Sequence, residues 1–173
     1  MNSTIKDMIE RRSIRKFKPD AVPKEIIDEI IKAGLYAASG RNKQGAIIIA
    51  VTDKKLRDKL MVMNREIGGW GEDFDPFYGA PVVLVVLGDK SVPTYIYDGS
   101  LVMGNLMLAA HSLGVGSCWI HRAKQEFESE EGKAILKELG IEGDFEGIGH
   151  CVIGYPDEEK AVIPRSENRV FYK

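Results

Sequence analysis

From about Thr94 to Leu113 the chain can form a helix that is apolar nearly all round. Leu101, Val102, Met103, Leu106, Met107, Leu108, Ala109, Ala110 and Leu113 leave it no polar face. A helix of this kind has to be covered on every side. The uncharged run continues from Gly99 to Ile120, a length that raises the question of a membrane span, which needs about 20 mainly apolar residues. Ser100, Asn105, His111 and Ser112 are scattered through it, and Gly114 and Gly116 interrupt it. The run therefore reads as a buried helix that stops at Gly114, followed by a strand. In a chain of 173 residues, a subunit interface is one economical way to cover such a helix.

The other elements must supply the rest of the cover. Ala46 to Val51 is continuously apolar and rich in β-branched residues, the pattern of an interior strand buried on both faces. Pro81 to Leu87, Gly116 to His121 and Ile148 to Tyr155 read as further strands. Ser3 or Thr4 can cap a first helix carrying Ile5, Met8 and Ile9. Pro23 opens a second, with Ile26, Ile27, Ile30, Ile31 and Leu35 on its apolar face and a stop at Ser39-Gly40. Asp53 caps a third, carrying Leu56, Leu60 and Met63, and Ser129 to Leu139 forms a surface helix ended by Gly140. Between Asn64 and Ala80 lies a loop rich in glycine and aromatic residues, of a length that is uncommon unless functional or mobile. No repeat or Pro/Ser-rich linker divides residues 1–173, which predicts one domain. Only some connections look like βαβ crossovers, so the fold class is α+β with about four core strands. No Gly-x-Gly-x-x-Gly follows a first strand and no Walker sequence exists, which argues against Rossmann and P-loop folds.

Arg11-Arg12-Ser13-Ile14-Arg15-Lys16-Phe17-Lys18 is a dense basic block. If extended, it places Arg11, Ser13 and Arg15 on one face. Two guanidiniums with a hydroxyl between them suit a phosphate, because arginine forks match phosphate oxygens bidentately. A solvated basic edge is the alternative, and the block alone leaves both open. The formal net charge of −2 argues against a general nucleic-acid binder. Cys118 and Cys151 each sit in an apolar run, which predicts reduced thiols in a cytoplasmic protein. The first residues contain no apolar signal-peptide core.

His111, His121 and His150 are far apart, with no metal-ligand spacing, and His111 reads as a core or interface histidine. No Gly-x-Ser-x-Gly marks a hydrolase nucleophile, and Cys118 has no surroundings that would lower a thiol pKa. What accumulates is apparatus for a phosphorylated aromatic ligand. Arg165 adds a cation to Arg11 and Arg15, while Asn42, Gln44 and Asn64 carry amides able to read a heterocycle, although each is also a common turn residue. Trp70, Phe77 and Trp119 could cover a ring.

The block from Arg11 to Phe17 resembles the opening signature of the FMN-dependent nitroreductase family. Ala37-Ala38-Ser39-Gly40-Arg41-Asn42-Lys43-Gln44 is similar to its second signature, Ser112 to Trp119 to its central-helix exit, and Ile148 to Pro156 to its last core strand. The chain departs at Ala38, where relatives often carry proline, and at Gly45-Ala46, where they often carry Pro-Trp. The resemblance implies an α+β homodimer with a mixed or antiparallel sheet of four to five strands, the central helix at the subunit interface, and two FMN sites there. It implies that Arg11 and Ser13 hold the phosphate, with Arg12 contributing partly through its backbone and Arg165 closing over it. Arg15 would lie near the flavin N1–C2=O edge and Asn64 at the pyrimidine edge. Ser39, Asn42 and Gln44 would come from the partner, and the main chain of Trp119, Ile120 and His121 would pass near N5. The implied activity is NAD(P)H-dependent reduction of a nitroaromatic, quinone or similar small acceptor, with no nucleic-acid or membrane partner. No metal and no catalytic side chain are implied, because the flavin carries the chemistry. The alternatives are a non-catalytic FMN-binding or sensing protein, a dehalogenase-like or flavin-fragmenting relative, and a nucleic-acid or phosphoprotein module built on the basic block.

Overall fold

The computed structural model describes all residues from Met1 to Lys173. Helix α1 (Ser3–Glu10) is capped by Asn2 rather than by Ser3 or Thr4: the Asn2 side-chain oxygen accepts from the Ile5 N–H at 3.0 Å. None of its residues is buried. Helix α2 (Lys24–Leu35) follows Pro23, whose carbonyl accepts from Ile26 and Ile27. Leu35, expected on its buried face, is exposed. The contact is made through Gly34, where a Cβ would fall 2.5 Å from Leu106 of the central helix.

Four strands, β1 (Ala46–Val51), β2 (Val82–Asp89), β3 (Gly116–Ile120) and β4 (Phe145–Gly154), form one sheet in the order β1-β2-β4-β3, antiparallel throughout. β2 and β4 are the interior strands. On β2, Val83, Val85 and Leu87 enter one hydrophobic cluster, and Val82, Leu84 and Val86 enter the other. That is period-2 alternation with both faces covered. β1 departs from expectation. It is an edge strand, and only Ile49 and Val51 are buried. A continuous apolar run fixes strand character and leaves lateral position open.

Helix α3 (Lys54–Gly68), capped by Asp53, covers one face and ends at Gly69 in a left-handed conformation. It thus runs past Asn64, and the aromatic loop is confined to residues 69–81. Helix α4 (Tyr95–Ser112) covers the other face together with α2, burying Val102, Met103, Leu106 and Ala110. Its opposite side, including Ile96, Tyr97 and Leu101, is uncovered in a single chain. Short α5 (Ala123–Glu128) was not legible in the sequence. It precedes α6 (Glu130–Glu138), which Ser129 caps through the Gly132 N–H. β4 begins at Phe145, ahead of the expected Ile148, and takes in Gly147. A Cβ at Gly147 would lie 2.2 Å from Ala123 backbone, and one at Gly149 would lie 2.4 Å from the Trp119 indole nitrogen. These glycines let α5 and the Trp119 ring lie against the sheet. No helix is long and apolar enough to cross a membrane.

Candidate functional site

The basic block runs extended across the end of the sheet. Ser13 bridges Ser117 of β3 in parallel, and the Ile14 N–H donates to the Ser117 carbonyl at 2.9 Å. Ile14 points into the core while Arg15, Lys16 and Lys18 face solvent. The far side is held by the segment after β4: the Lys18 N–H donates to the Tyr155 carbonyl and the Asp157 N–H to the Lys16 carbonyl, both at 2.9 Å. Lys160 Nζ donates to the Ser13 carbonyl at 2.8 Å, and the Glu158 carboxylate accepts from the Arg15 N–H. That hydrogen bond holds the Glu158 carboxyl below the usual carboxylate range.

Three buried polar atoms near this crossing lack a protein partner: Arg11 Nη1, Arg12 Nη2 and Ser117 Oγ. A buried guanidinium nitrogen without an acceptor is costly, and an anionic group is the partner its chemistry fits. The remainder of the Arg12 fork is structural. It donates to the carbonyls of Ile9 and Arg11 at the end of α1 and, at 3.1 Å, to that of Ala161.

Beyond Ser117, β3 leads to a cavity of about 160 Å³ lined by Arg15, Trp70, Tyr78, Trp119, Ile120, His121 and Arg122, among others. The structure thus brings together Ser13, Arg15, Trp119, Ile120 and His121, with Arg11 and Arg12 adjoining in the same block. The corner after β3 is anchored from beneath. Asn64 Nδ2 donates to the His121 carbonyl at 2.8 Å and to the Glu126 carboxylate, and Glu126 Oε2 lies 2.8 Å from His150 Nε2. Asn64, Glu126 and His150 are all fully buried. Asn64 Nδ2 thus supports the corner, while Asn64 Oδ1 is buried without a protein partner. Phe77 is also core, 5.2 Å from the His150 ring between centroids.

Ser39, Asn42 and Gln44 gather elsewhere, in the loop before β1. Arg41, Asn42 and Gln44 all have positive φ (51°, 54° and 52°), a run of left-handed non-glycine residues that marks a strained, over-determined loop. The Ser39 hydroxyl accepts from the Gln44 N–H, and Asn42 Oδ1 accepts from Gln44 Nε2. Buried Asp98 of α4 accepts from the Gly40 N–H and from Thr94 Oγ1. This loop adjoins β1 beside Gly88 and Glu146, whereas Ser13 adjoins β3 beside Ile153. The two groups occupy opposite edges and opposite ends of the sheet. Strand spacing and rise put them on the order of 20–25 Å apart. Arg165 lies exposed in the tail beside Ser166, Asn168 and Arg169, four residues beyond Ala161, whose carbonyl accepts from Arg12.

Residues that sequence reasoning missed are Arg122, Tyr78, Glu126 and His150. A left-handed φ of 80° at Arg122 and 55° at Tyr78 left no compositional trace. The Glu126–His150 pair joins residues distant in the chain.

The model of the Nitroreductase family matches residues 8–162. A protein of Archaeoglobus fulgidus, provisionally named NADH dehydrogenase/NAD(P)H nitroreductase, is 31% identical over 92% of this chain and 89% of its own. The iodotyrosine deiodinase of Thermotoga neapolitana is 29% identical over 94% of each. The crystal structure of an FMN-bound nitroreductase from Desulfitobacterium hafniense superposes with a TM-score of 0.89 at 25% identity, covering 100% of this chain and 99% of that one. With a four-stranded antiparallel sheet between helices and a family match that spans most of its length, the chain belongs to the nitroreductase family.

Proposed function

We propose that the protein is an FMN-dependent oxidoreductase that takes electrons from NADH or NADPH and passes them to a nitroaromatic, quinone or similar small acceptor. The observation that carries this reading is the pair of unpartnered, buried guanidinium nitrogens of Arg11 and Arg12 beside the Ser13–Ser117 bridge, in a chain similar to an FMN-bound nitroreductase. When bound, FMN supplies a ring that accepts a hydride and returns electrons to the acceptor. The chain's contribution is position and electrostatics. Arg11, Ser13 and the Arg12 backbone hold the phosphate. Arg15 would supply a cation to the ring edge that gains negative charge on reduction. The main chain of Trp119 to His121 would offer polar groups to the ring, with the His121 carbonyl fixed from below by Asn64.

The functional unit in this reading is a homodimer in the cytoplasm. Ser39, Asn42 and Gln44 stand too far from Ser13 and Arg15 for one chain to bring both to a single flavin, so a second copy supplies them, and Arg165 closes over the phosphate from the C-terminal tail. Association also covers the outer side of α4 and the apolar side of α1, which one chain leaves exposed. Nucleic-acid and membrane partners have no place in it. Residues 1–173 act as one domain.

A flavin absorption band in the purified protein, bleached anaerobically by NADH or NADPH and restored by an acceptor, is the expected result. A colourless protein that cannot be reconstituted with FMN defeats the proposal. Likeness to an iodotyrosine deiodinase supports reductive dehalogenation as a second reading. Turnover of halophenols in preference to nitroaromatics and quinones would select it.

A further inference from the structure

After β3, the side chains that the proposed chemistry does not use are those of His121 and Arg122; of His121 it uses only the main chain. Arg122 adopts φ 80°, ψ 4°, a left-handed conformation that glycine takes freely and a long side chain takes at a cost. A residue kept there against backbone preference points to a use for its side chain. The guanidinium lies 4.4 Å from the centroid of the Trp70 ring. The carboxylates nearest in sequence are engaged elsewhere, Glu126 with His150 and Glu128 with Lys124.

Trp70 is itself held in place. Gly68 leaves room for its ring, since a Cβ there would fall 2.5 Å from it, and Phe74 meets it edge-on at 4.9 Å. Phe74 in turn packs on Tyr78, over which the Arg15 guanidinium lies at 5.9 Å. An aromatic ladder, Trp70–Phe74–Tyr78, is thus capped at each end by a guanidinium. The cavity of about 160 Å³ beside it has aromatic walls from Trp70, Tyr78 and Trp119 and no Asp or Glu in its lining.

We propose that Arg122 and Trp70 select an anionic aromatic acceptor, a single ring bearing a carboxylate or ionised phenol. The ring stacks against Trp70, and its anionic group takes the Arg122 fork bidentately, with His121 as a further donor. A neutral ring of the same shape gains only the stacking. The binding step stands on the cavity's chemistry; the turnover step rests on the flavoenzyme reading above. For a nitro acceptor the balance is ArNO2 + NAD(P)H + H⁺ → ArNO + NAD(P)⁺ + H2O: two electrons leave the nicotinamide, one N–O bond breaks, and the oxygen departs as water. The anionic substituent takes no part in it.

Calorimetric titration of the purified holoprotein with benzoate and with its neutral isostere benzamide tests the binding step without turnover. A charge-assisted pair predicts benzoate tighter by on the order of tenfold or more. That preference falls to about unity in Arg122→Gln and in Arg122→Gly, the second variant being one the left-handed backbone accommodates. In steady state, the kcat/KM ratio of 4-nitrobenzoate to 4-nitrobenzamide falls by a similar factor in both variants, through KM for the anion. Equal binding of the two probes to the wild-type protein overturns the proposal. So does a preference that survives both substitutions, or a loss confined to the KM of NAD(P)H. Charge discrimination in calorimetry by a protein that holds no flavin sustains this proposal while removing the flavoenzyme reading, so the two fail separately.

Discussion

Glu126 and His150 meet at 2.8 Å with neither side chain exposed, and together with Asn64 they tie α3, α5 and β4 to the end of β3. Removing one partner of this buried hydrogen bond leaves the other unsatisfied, at a cost of about 1–3 kcal/mol. Glu126→Ala and His150→Ala are each expected to lower unfolding free energy by that order. The double substitution should cost less than the sum of the two. Denaturant titration of the four proteins gives the coupling, and strict additivity would show that the two groups do not interact.

Burial pushes the Cys151 thiol up to about 12, with Cys118 adding to the rise and Arg11 opposing it. The folded state therefore holds this proton more tightly than the unfolded chain does. Its contribution to stability is fully present below the ordinary thiol pKa near 9 and is lost as pH rises from there towards 12. The slope approaches about 1.4 kcal/mol per pH unit. Denaturant midpoints should fall more steeply between pH 8 and pH 10 in the wild-type protein than in Cys151→Ala. Parallel pH profiles would rule out the linkage. Both thiols are buried, so alkylation at pH 8 should label neither until the protein is unfolded.

Much of this architecture was legible because it rests on period and punctuation. The apolar run of β2, the all-round apolar character of α4 and the Asp53 cap are local properties, and each appears where the sequence places it. Lateral order was not legible: Ala46–Val51 reads as an interior strand and lies at the edge, since a run of Ile and Val says nothing about its neighbours. The site divides in the same way. Ser13 and Arg15 adjoin Trp119–His121 because an extended block must pair with something, here Ser117. Asn64 reads as an amide able to face a ligand, and nothing local in the sequence tells that its Nδ2 is engaged by the His121 carbonyl and Glu126 or that Glu126 meets His150, because these partners are distant in the chain.

Arg11 and Arg15 should separate by what they do to a bound flavin. The Arg11 guanidinium carries a buried nitrogen with no protein partner, so Arg11→Ala should mainly weaken FMN retention. Arg15 lines the cavity beyond Ser117. Losing a charge-assisted hydrogen bond of about 1.5–3 kcal/mol should lower the two-electron midpoint potential by roughly 30–65 mV. Redox titration of FMN-loaded Arg15→Ala against the wild-type protein measures the second effect, and equilibrium FMN binding measures the first. An unchanged potential in the loaded Arg15 variant would contradict its assignment.

The uncovered side of α4 makes association testable by charge. Leu101 is 51% exposed and Tyr97 72% exposed in one chain, and a Cβ at Gly104, three residues beyond Leu101, would meet nothing within 4 Å. Leu101 and Gly104 lie near one another on the helix surface, forming a shallow apolar strip on which another helix can seat. Leu101→Glu would bury an unpaired carboxylate in a dimer and leave the isolated chain unharmed, because the side chain is solvated there. The wild-type protein should sediment as a dimer, with Leu101→Glu shifted towards monomer by a factor of 10² or more in dissociation constant, roughly 3 kcal/mol. Far-UV circular dichroism of the variant should be unaltered. FMN affinity should fall with dissociation, since Ser39, Asn42 and Gln44 of a second copy would no longer reach the ring. A stable wild-type monomer that retains FMN would overturn both the interface and the division of the site between two chains.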